Sequence, residues 1–268
     1  MAFDGATDPR WPAWRAAGEQ LDVRLGELGP AAAAEAAEEV VAWVASTFGA
    51  GAADPAPAGP VGPASPAPLR IALTSAFGPE GCALIHLVRR HLPEVPVYFI
   101  DTGLLFPATL AVRDAFVRSG ANIVTIEPLV TLRAQAEAHG PELWRRDTDA
   151  CCGLRKVEPM QRVLDQVDVW LTAVRRDQAA SRAATPVVGT ATRRDGTRAL
   201  KIAPLVHWTR ADTWRYLLAN DVPYNALLDA GYTSIGCEPC TAVPAPGQGE
   251  RDGRWAGAAK TECGIHGL

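Results

Sequence analysis

Five of the six cysteines stand where chemistry explains them better than packing. Cys151 and Cys152 are adjacent, and Cys237 and Cys240 form G-C-E-P-C. Four thiolates suit zinc or an iron–sulfur cluster. Structural zinc usually draws its ligands from C-x-x-C-type knuckles, and neighbouring cysteines crowd one small ion. A 4Fe–4S cube spreads its ligands over separate irons, so a cluster held by Cys151, Cys152, Cys237 and Cys240 is expected ahead of zinc. Cys82, among Ala83, Leu84 and Ile85, reads as a core residue. Cys263 is left over, in E-C-G-I-H-G-L. The glycine-rich stretch before it carries Arg251, Arg254 and Lys260. A basic, flexible arm can fold over an anionic substrate, and positive charge beside a thiol favours the nucleophilic thiolate. The arm reads as a lid that carries its own nucleophile.

Three loops have the composition of a substrate site. T-S-A-F-G-P-E places Thr74, Ser75, Phe77 and Gly78 between a strand and a helix, where backbone N–H groups meet anions. It is not a Walker motif, because no G-K-[ST] follows. I-D-T-G-L-L-F-P-A-T offers Asp101, Thr102 and Gly103 at a strand end, suited to a ribose or base edge; a capped turn is the alternative. V-R-R-D-Q-A-A-S-R supplies Arg175, Arg176, Gln178 and Arg182, the makings of a phosphate or sulfate clamp.

The elements that must position these loops follow from apolar patterning. Strand-like runs at 69–73, 95–100, 122–126 and 168–174 alternate with helical patterns at 79–92 and 107–120. That order implies an α/β fold with a parallel sheet, whose ligands bind beyond the strands' carboxyl ends. Loops starting at Thr74, Asp101, Glu127 and Arg175 are expected to converge on one cleft. Residues 1–48 form an N-terminal helical extension, with Val40, Val41, Trp43, Val44 and Phe48 on one stripe. Residues 49–68 are an Ala/Pro/Gly-rich linker. The nucleotide-binding domain runs over 69–243 and a mobile arm over 244–268. Hydrophobic residues are 48%, charged residues 21% and the net charge is −4, ordinary globular values without the basic stripe of a nucleic-acid binder. No apolar run reaches the roughly 20 residues of a membrane span, and no signal peptide is evident. A cytoplasmic protein is expected, in which cysteines serve metal or redox chemistry.

The chain resembles the assimilatory adenylyl-sulfate reductases, the iron–sulfur branch of the phosphoadenylyl-sulfate reductase family. The resemblance runs from about Leu69 onward. It rests on C-C-G-L-R-K (151–156), S-I-G-C-E-P-C-T (234–241), E-R-D-G-R-W (250–255) and E-C-G-I-H (262–266). K-I-A-P-L (201–205), W-T-R-A-D-T-W (208–214) and V-P-Y-N (222–225) also match. It implies an adenine nucleotide alpha-hydrolase-like domain related to ATP pyrophosphatases, although the S-G-G-x-D-S loop of the latter is missing. It implies that Cys263 attacks the sulfur of adenosine 5′-phosphosulfate, releasing AMP and leaving an S-sulfocysteine. Thioredoxin or glutaredoxin then releases sulfite. It further implies a 4Fe–4S cluster on the four cysteines, Lys156 between cluster and substrate, and Arg251 and Arg254 on the phosphosulfate. Such an enzyme serves sulfate assimilation and cysteine biosynthesis.

Two other readings stand beside this one. The same chemistry on 3′-phosphoadenylyl sulfate is disfavoured by the four cysteines, which branches using that substrate commonly lack. A zinc-stapled nucleotide-binding or redox-sensing protein would explain four cysteines but not Cys263 and the arginine-bearing arm. Self-association into a homo-oligomer stays open.

Overall fold

The computed structural model describes residues 3–28, 32–49, 68–255, 260 and 262–265. The expected linker lies outside the described residues except for Gly49 and Pro68. A six-stranded sheet has the order β3-β2-β1-β4-β6-β5. Its strands are β1 (Ile71–Thr74), β2 (Val97–Ile100), β3 (Ile123–Ile126), β4 (Val169–Leu171), β5 (Val188–Thr192) and β6 (Arg198–Ile202). Strands β1, β2, β3, β4 and β6 pair in parallel, with Ile71 opposite Val169 and Leu73 opposite both Leu171 and Val97. The expected parallel sheet is thus present, and β5, antiparallel to β6, is added at its edge. The cause of the antiparallel pairing is a tight turn over 193–197. Asp195 Oδ1 accepts from the Thr197 N–H at 2.9 Å, and Gly196 takes φ +85°. A hairpin connection of this kind can only join antiparallel strands.

Short apolar strands buried on both faces are what a helix-covered parallel sheet demands. Ala72, Leu73, Phe99, Val169, Trp170 and Leu171 are all fully buried. Helix α1 (Trp11–Glu27) and α2 (Ala33–Phe48) precede β1, and α3 (Pro79–Arg89) and α4 (Pro107–Arg118) each follow a strand. Helices α2 and α3 pack together, while α1 lies against β5. At Gly18 a Cβ would sit 2.5 Å from the Val188 Cβ, so only glycine allows this approach. Trp208 Nε1 donates to the Ala33 carbonyl at 2.7 Å, and Trp14 meets Phe48 edge-on at 5.2 Å. The N-terminal helices therefore share the main core.

After β3 come α5 (Leu132–His139) and the short α6 (Leu143–Arg146). A longer helical run then follows: α7 (Thr148–Cys152), a π-helical turn (Gly153–Val157) and α8 (Glu158–Leu164). Helix α9 (Arg210–Ala219) opens on a capping box between Thr209 and Asp212. No helix among the described residues is long and apolar enough to cross a membrane.

Candidate active site

The direction of the sheet's crossovers reverses at β1, which has β2 on one side and β4 on the other. Open α/β sheets bind ligands at such a point, beyond the carboxyl ends of the strands. A cleft lies there. It is lined by Thr74, Ser75 and Gly78 after β1, Thr102 after β2, Gln178 and Arg182 after β4, and Lys156, Arg251, Arg254 and Cys263. These are ten of the residues expected from the sequence. The loop from Glu127 contributes nothing to the cleft, because β3 is the edge strand two places from β1.

Five other expected substrate contacts are placed elsewhere. Phe77 has φ +55°, which turns its ring into the core against Phe99 and Phe116, at 5.1 and 5.7 Å. Asp101 accepts from the Gly103 N–H at 2.9 Å, and Gly103 takes φ +70°. The pair forms a capped turn rather than part of the cleft wall. Arg175 is 0% exposed. Its guanidinium holds Glu80 at 3.0 Å, Glu250 at 2.9 Å, and Asp177. Burial pushes the Glu250 carboxyl up against the pull of Arg175. Arg176 points away from the cleft to Asp22 of α1 at 2.7 Å and to the Thr185 carbonyl at 2.8 Å. Of the three arginines in this loop only Arg182 lines the cleft; Arg175 is buried among its carboxylates and Arg176 is turned to Asp22 of α1.

The four paired cysteines come together. Cys151 and Cys152 sit on α7, and Cys237 and Cys240 on the loop before the arm. With Leu104, Trp144, Thr148, Arg155 and Lys156 they line a small cavity. All four are free thiols. The Cys237 loop is fastened on both sides. The Glu238 N–H donates to the Leu104 carbonyl at 2.7 Å, and the Trp255 N–H donates to the Cys240 carbonyl at 2.9 Å. Thr102 Oγ1 lies 3.3 Å from Cys237 Sγ. Burial pushes the Cys151 thiol up to about 11, and the neighbouring thiols add to it. Cys152 is also raised by burial, while Lys156 and Lys260 pull the other way. Crowded buried thiols of this kind need a cationic centre to become thiolates together. Among the described residues no three His, Cys, Asp or Glu side chains gather as they would around a single metal ion. Four thiols on one cavity wall are a donor set that fits a group held by several thiolates.

Among the described residues Lys156 alone lines both the cysteine cavity and the cleft. It is held by the π-helical turn, 9% exposed. Its ammonium stands 5.9 Å from the centre of the Trp255 ring, and Arg254 covers the same ring at 4.5 Å. Arg254 donates to the Ile235 carbonyl at 3.3 Å. Its buried Nε has no hydrogen-bond partner among the described residues. Gly236 makes room for this guanidinium, since a Cβ there would lie 2.1 Å from Arg254 Nη2.

The described part of the arm lies on the cleft. Glu262 pairs with Arg182 at 2.7 Å and Arg251 at 3.0 Å, and Lys260 pairs with Asp149. Ile265 packs against the cluster of Met160, Val163, Leu164 and Trp170. Cys263, between them, is half-buried and lines the cleft. Sequence reasoning missed Glu80, Tyr98, Thr172, Glu250 and Trp255 as cleft residues. Trp255 stands inside a quoted motif, E-R-D-G-R-W, where its ring was a readable signal for seating cations. Tyr98 carried no such signal, because alternation along β2 does not say which side faces the cleft.

Comparison with known proteins fits this geometry. The profile of the phosphoadenosine phosphosulfate reductase domain matches residues 70–243. A protein of Bacillus velezensis named adenosine 5′-phosphosulfate reductase is 41% identical over 201 residues, covering 74% of this chain and 84% of that one. A Geobacillus kaustophilus protein of the same name is 42% identical over 200 residues, covering 73% and 83%. Among solved structures, the phosphoadenylyl-sulfate reductase of Candida auris, in a phosphate complex, is similar with a TM-score of 0.62 and 30% identity. That match covers 84% of this chain and 96% of the other. The FMN adenylyltransferase of Candida glabrata, at 16% identity and a TM-score of 0.53, shares the fold over 85% of this chain and 72% of its own.

Proposed function

The chain belongs to the phosphoadenosine phosphosulfate reductase domain family, and on that premise we propose that it reduces adenosine 5′-phosphosulfate to sulfite and AMP, with Cys263 as nucleophile. One observation carries the reading. Cys263 lines the same cleft as Lys156, Arg182, Arg251 and Arg254, so a thiol and four cations face one space at the nucleotide-binding end of the sheet.

The Cys263 thiolate attacks the sulfur of the phosphosulfate. The S–O bond to phosphate breaks, and AMP leaves with the electron pair, carrying new negative charge. Preorganised cations lower the barrier to such a step. Lys156 and Arg254, held on the Trp255 ring, are the donors nearest to hand for that charge. The arm laid over the cleft excludes water from the mixed anhydride. Cys263 then carries an S-sulfonate. A thiolate of thioredoxin or glutaredoxin attacks Cys263 Sγ, sulfite leaves, and the donor's second thiol resolves the mixed disulfide. The donor's dithiol becomes a disulfide, which supplies the two electrons. A half-buried thiol at the cleft can serve both steps, whereas a thiol fixed in the core could not.

Cys151, Cys152, Cys237 and Cys240 would hold a 4Fe–4S cluster. When bound, it supplies an electrostatic and structural anchor beside Lys156 rather than an electron. The relatives named for adenosine 5′-phosphosulfate support that substrate, and the Candida auris likeness keeps the 3′-phosphorylated nucleotide in the comparison.

The test is intact-protein mass spectrometry after anaerobic incubation with adenosine 5′-phosphosulfate and no thiol donor. The wild type should gain one sulfonate and Cys263→Ser none, and a repeat with the 3′-phosphorylated nucleotide ranks the substrates. A cluster-loaded protein that gains nothing from either nucleotide ends this reading.

A further inference from the structure

The residue next to the nucleophile is as well held as any ion pair on the cleft. Glu262 Oε1 accepts from Arg182 Nε at 2.7 Å and from Ser181 Oγ at 3.3 Å. Its Oε2 accepts from Arg182 Nη2 at 2.9 Å and Arg251 Nη2 at 3.0 Å. A two-pronged guanidinium closed on two oxygens, with a second guanidinium alongside, is the donor arrangement that phosphate and sulfate oxygens require. The other acidic side chains lining the cleft, Glu80 and Glu250, pair with the fully buried Arg175 instead. Among the described residues Glu262 is thus the carboxylate that sits on cleft cations. It comes from the segment that carries Cys263, and Gly264, with φ +91°, follows directly.

We propose that Glu262 is a positioning residue that competes with the phosphosulfate for Arg182 and Arg251. While it holds them, the Cys263 segment is latched to the cleft wall. When the substrate's anion takes the two guanidiniums, the carboxylate is displaced, and the segment is released to bring Cys263 to the sulfur. Occupancy of the site and delivery of the nucleophile thereby become one event. This rests on the cleft being the phosphosulfate site, as read above.

Two consequences separate the idea from a purely structural role. Removing the competing charge should tighten binding of an anionic nucleotide but not of a neutral nucleoside. It should also unlatch Cys263 with no nucleotide present. The first is read by calorimetry on cluster-loaded protein, comparing Cys263→Ser with the Glu262→Gln, Cys263→Ser double variant, neither of which can turn over. The double variant should bind adenosine 5′-phosphosulfate about 3- to 10-fold more tightly, with adenosine affinity unchanged. The second is the rate at which iodoacetamide alkylates Cys263, followed by peptide mass spectrometry without nucleotide. Glu262→Gln should react at least about 3-fold faster than wild type.

Unchanged or weaker phosphosulfate binding in the double variant overturns the competition, as does an equal gain for adenosine. If Cys263→Ser itself fails to bind phosphosulfate, the functional reading falls and alkylation alone decides the latch. An unchanged rate in Glu262→Gln then ends the latch, and a faster one sustains it.

Discussion

Lys201 stands on β6 with its ammonium 4.9 Å from the Trp170 ring, and burial, helped by Arg182, pulls its pKa down to about 8. In the folded protein its proton leaves near pH 8, and in the unfolded chain near the ordinary lysine value. Between those values the unfolded state binds more protons, so stability rises with pH. Wild type should gain about 1–2 kcal/mol on Lys201→Met between pH 8 and pH 10, measured by urea unfolding of both at each pH. A constant difference would show that Lys201 titrates normally. At this scale the sequence was legible where a residue had few structural uses. A cysteine after a glycine-rich, basic stretch, or Lys156 beside paired cysteines, has little to do in a core. Arginine was harder to read. Arg175, Arg176 and Arg182 share one loop, yet each pairs with a carboxylate from a distant part of the chain, and only Arg182 does so on the cleft. No local pattern announces Glu250 or Asp22 as their partners.

Elements carry the next set of expectations. Gly236→Ala drives a methyl into the Arg254 guanidinium, whose flexible end can swing away. Folding should survive, with the thermal midpoint within a few degrees of wild type, while kcat/KM falls at least about tenfold. Steady-state kinetics beside a melting curve checks both halves, and a parallel loss of stability would point to collapse instead. Asp22→Ala takes from Arg176 its carboxylate on α1 and from His207 its partner at 2.7 Å. It should cost about 1–3 kcal/mol by urea unfolding, and should loosen the segment 175–182, seen as faster tryptic cleavage there. Strands β1 to β4 and helices α2, α3 and α4 were legible because apolar runs and 3.6-residue spacing mark them plainly. Helix α1, inside the expected helical extension over 1–48, is marked less plainly, since Trp14, Leu21 and Leu25 are its large buried residues and a glycine stands between them. The β5–β6 hairpin passed unread, although Asp195-Gly196 is a turn signal.

For the whole molecule, the cysteine cavity joins two distant stretches, the helix over 148–164 and the loop over 237–240 that leads into the arm. A cluster bound there would staple them. Removing it with chelator and oxidant should raise tryptic cleavage at Arg145, Arg146, Arg251 and Arg254 together, leaving the 79–118 region protected. Cleavage confined to one stretch would show that the two are not coupled. The π-helical turn at Gly153–Val157 gives this link an unusual genetic property. Such a turn holds one residue more than an α-helical path needs, so a change in length resets it more directly than a side-chain replacement does. Deleting one residue there would let the run close into a plain α-helix, with Cys151 and Cys152 still close to their phase with Met160. The same deletion from an unbroken α-helix would turn its two ends by about 100° against each other. The surplus residue is thus slack in the reading frame, the one place in this helical run where a lost codon need not misalign the cysteines with the cleft.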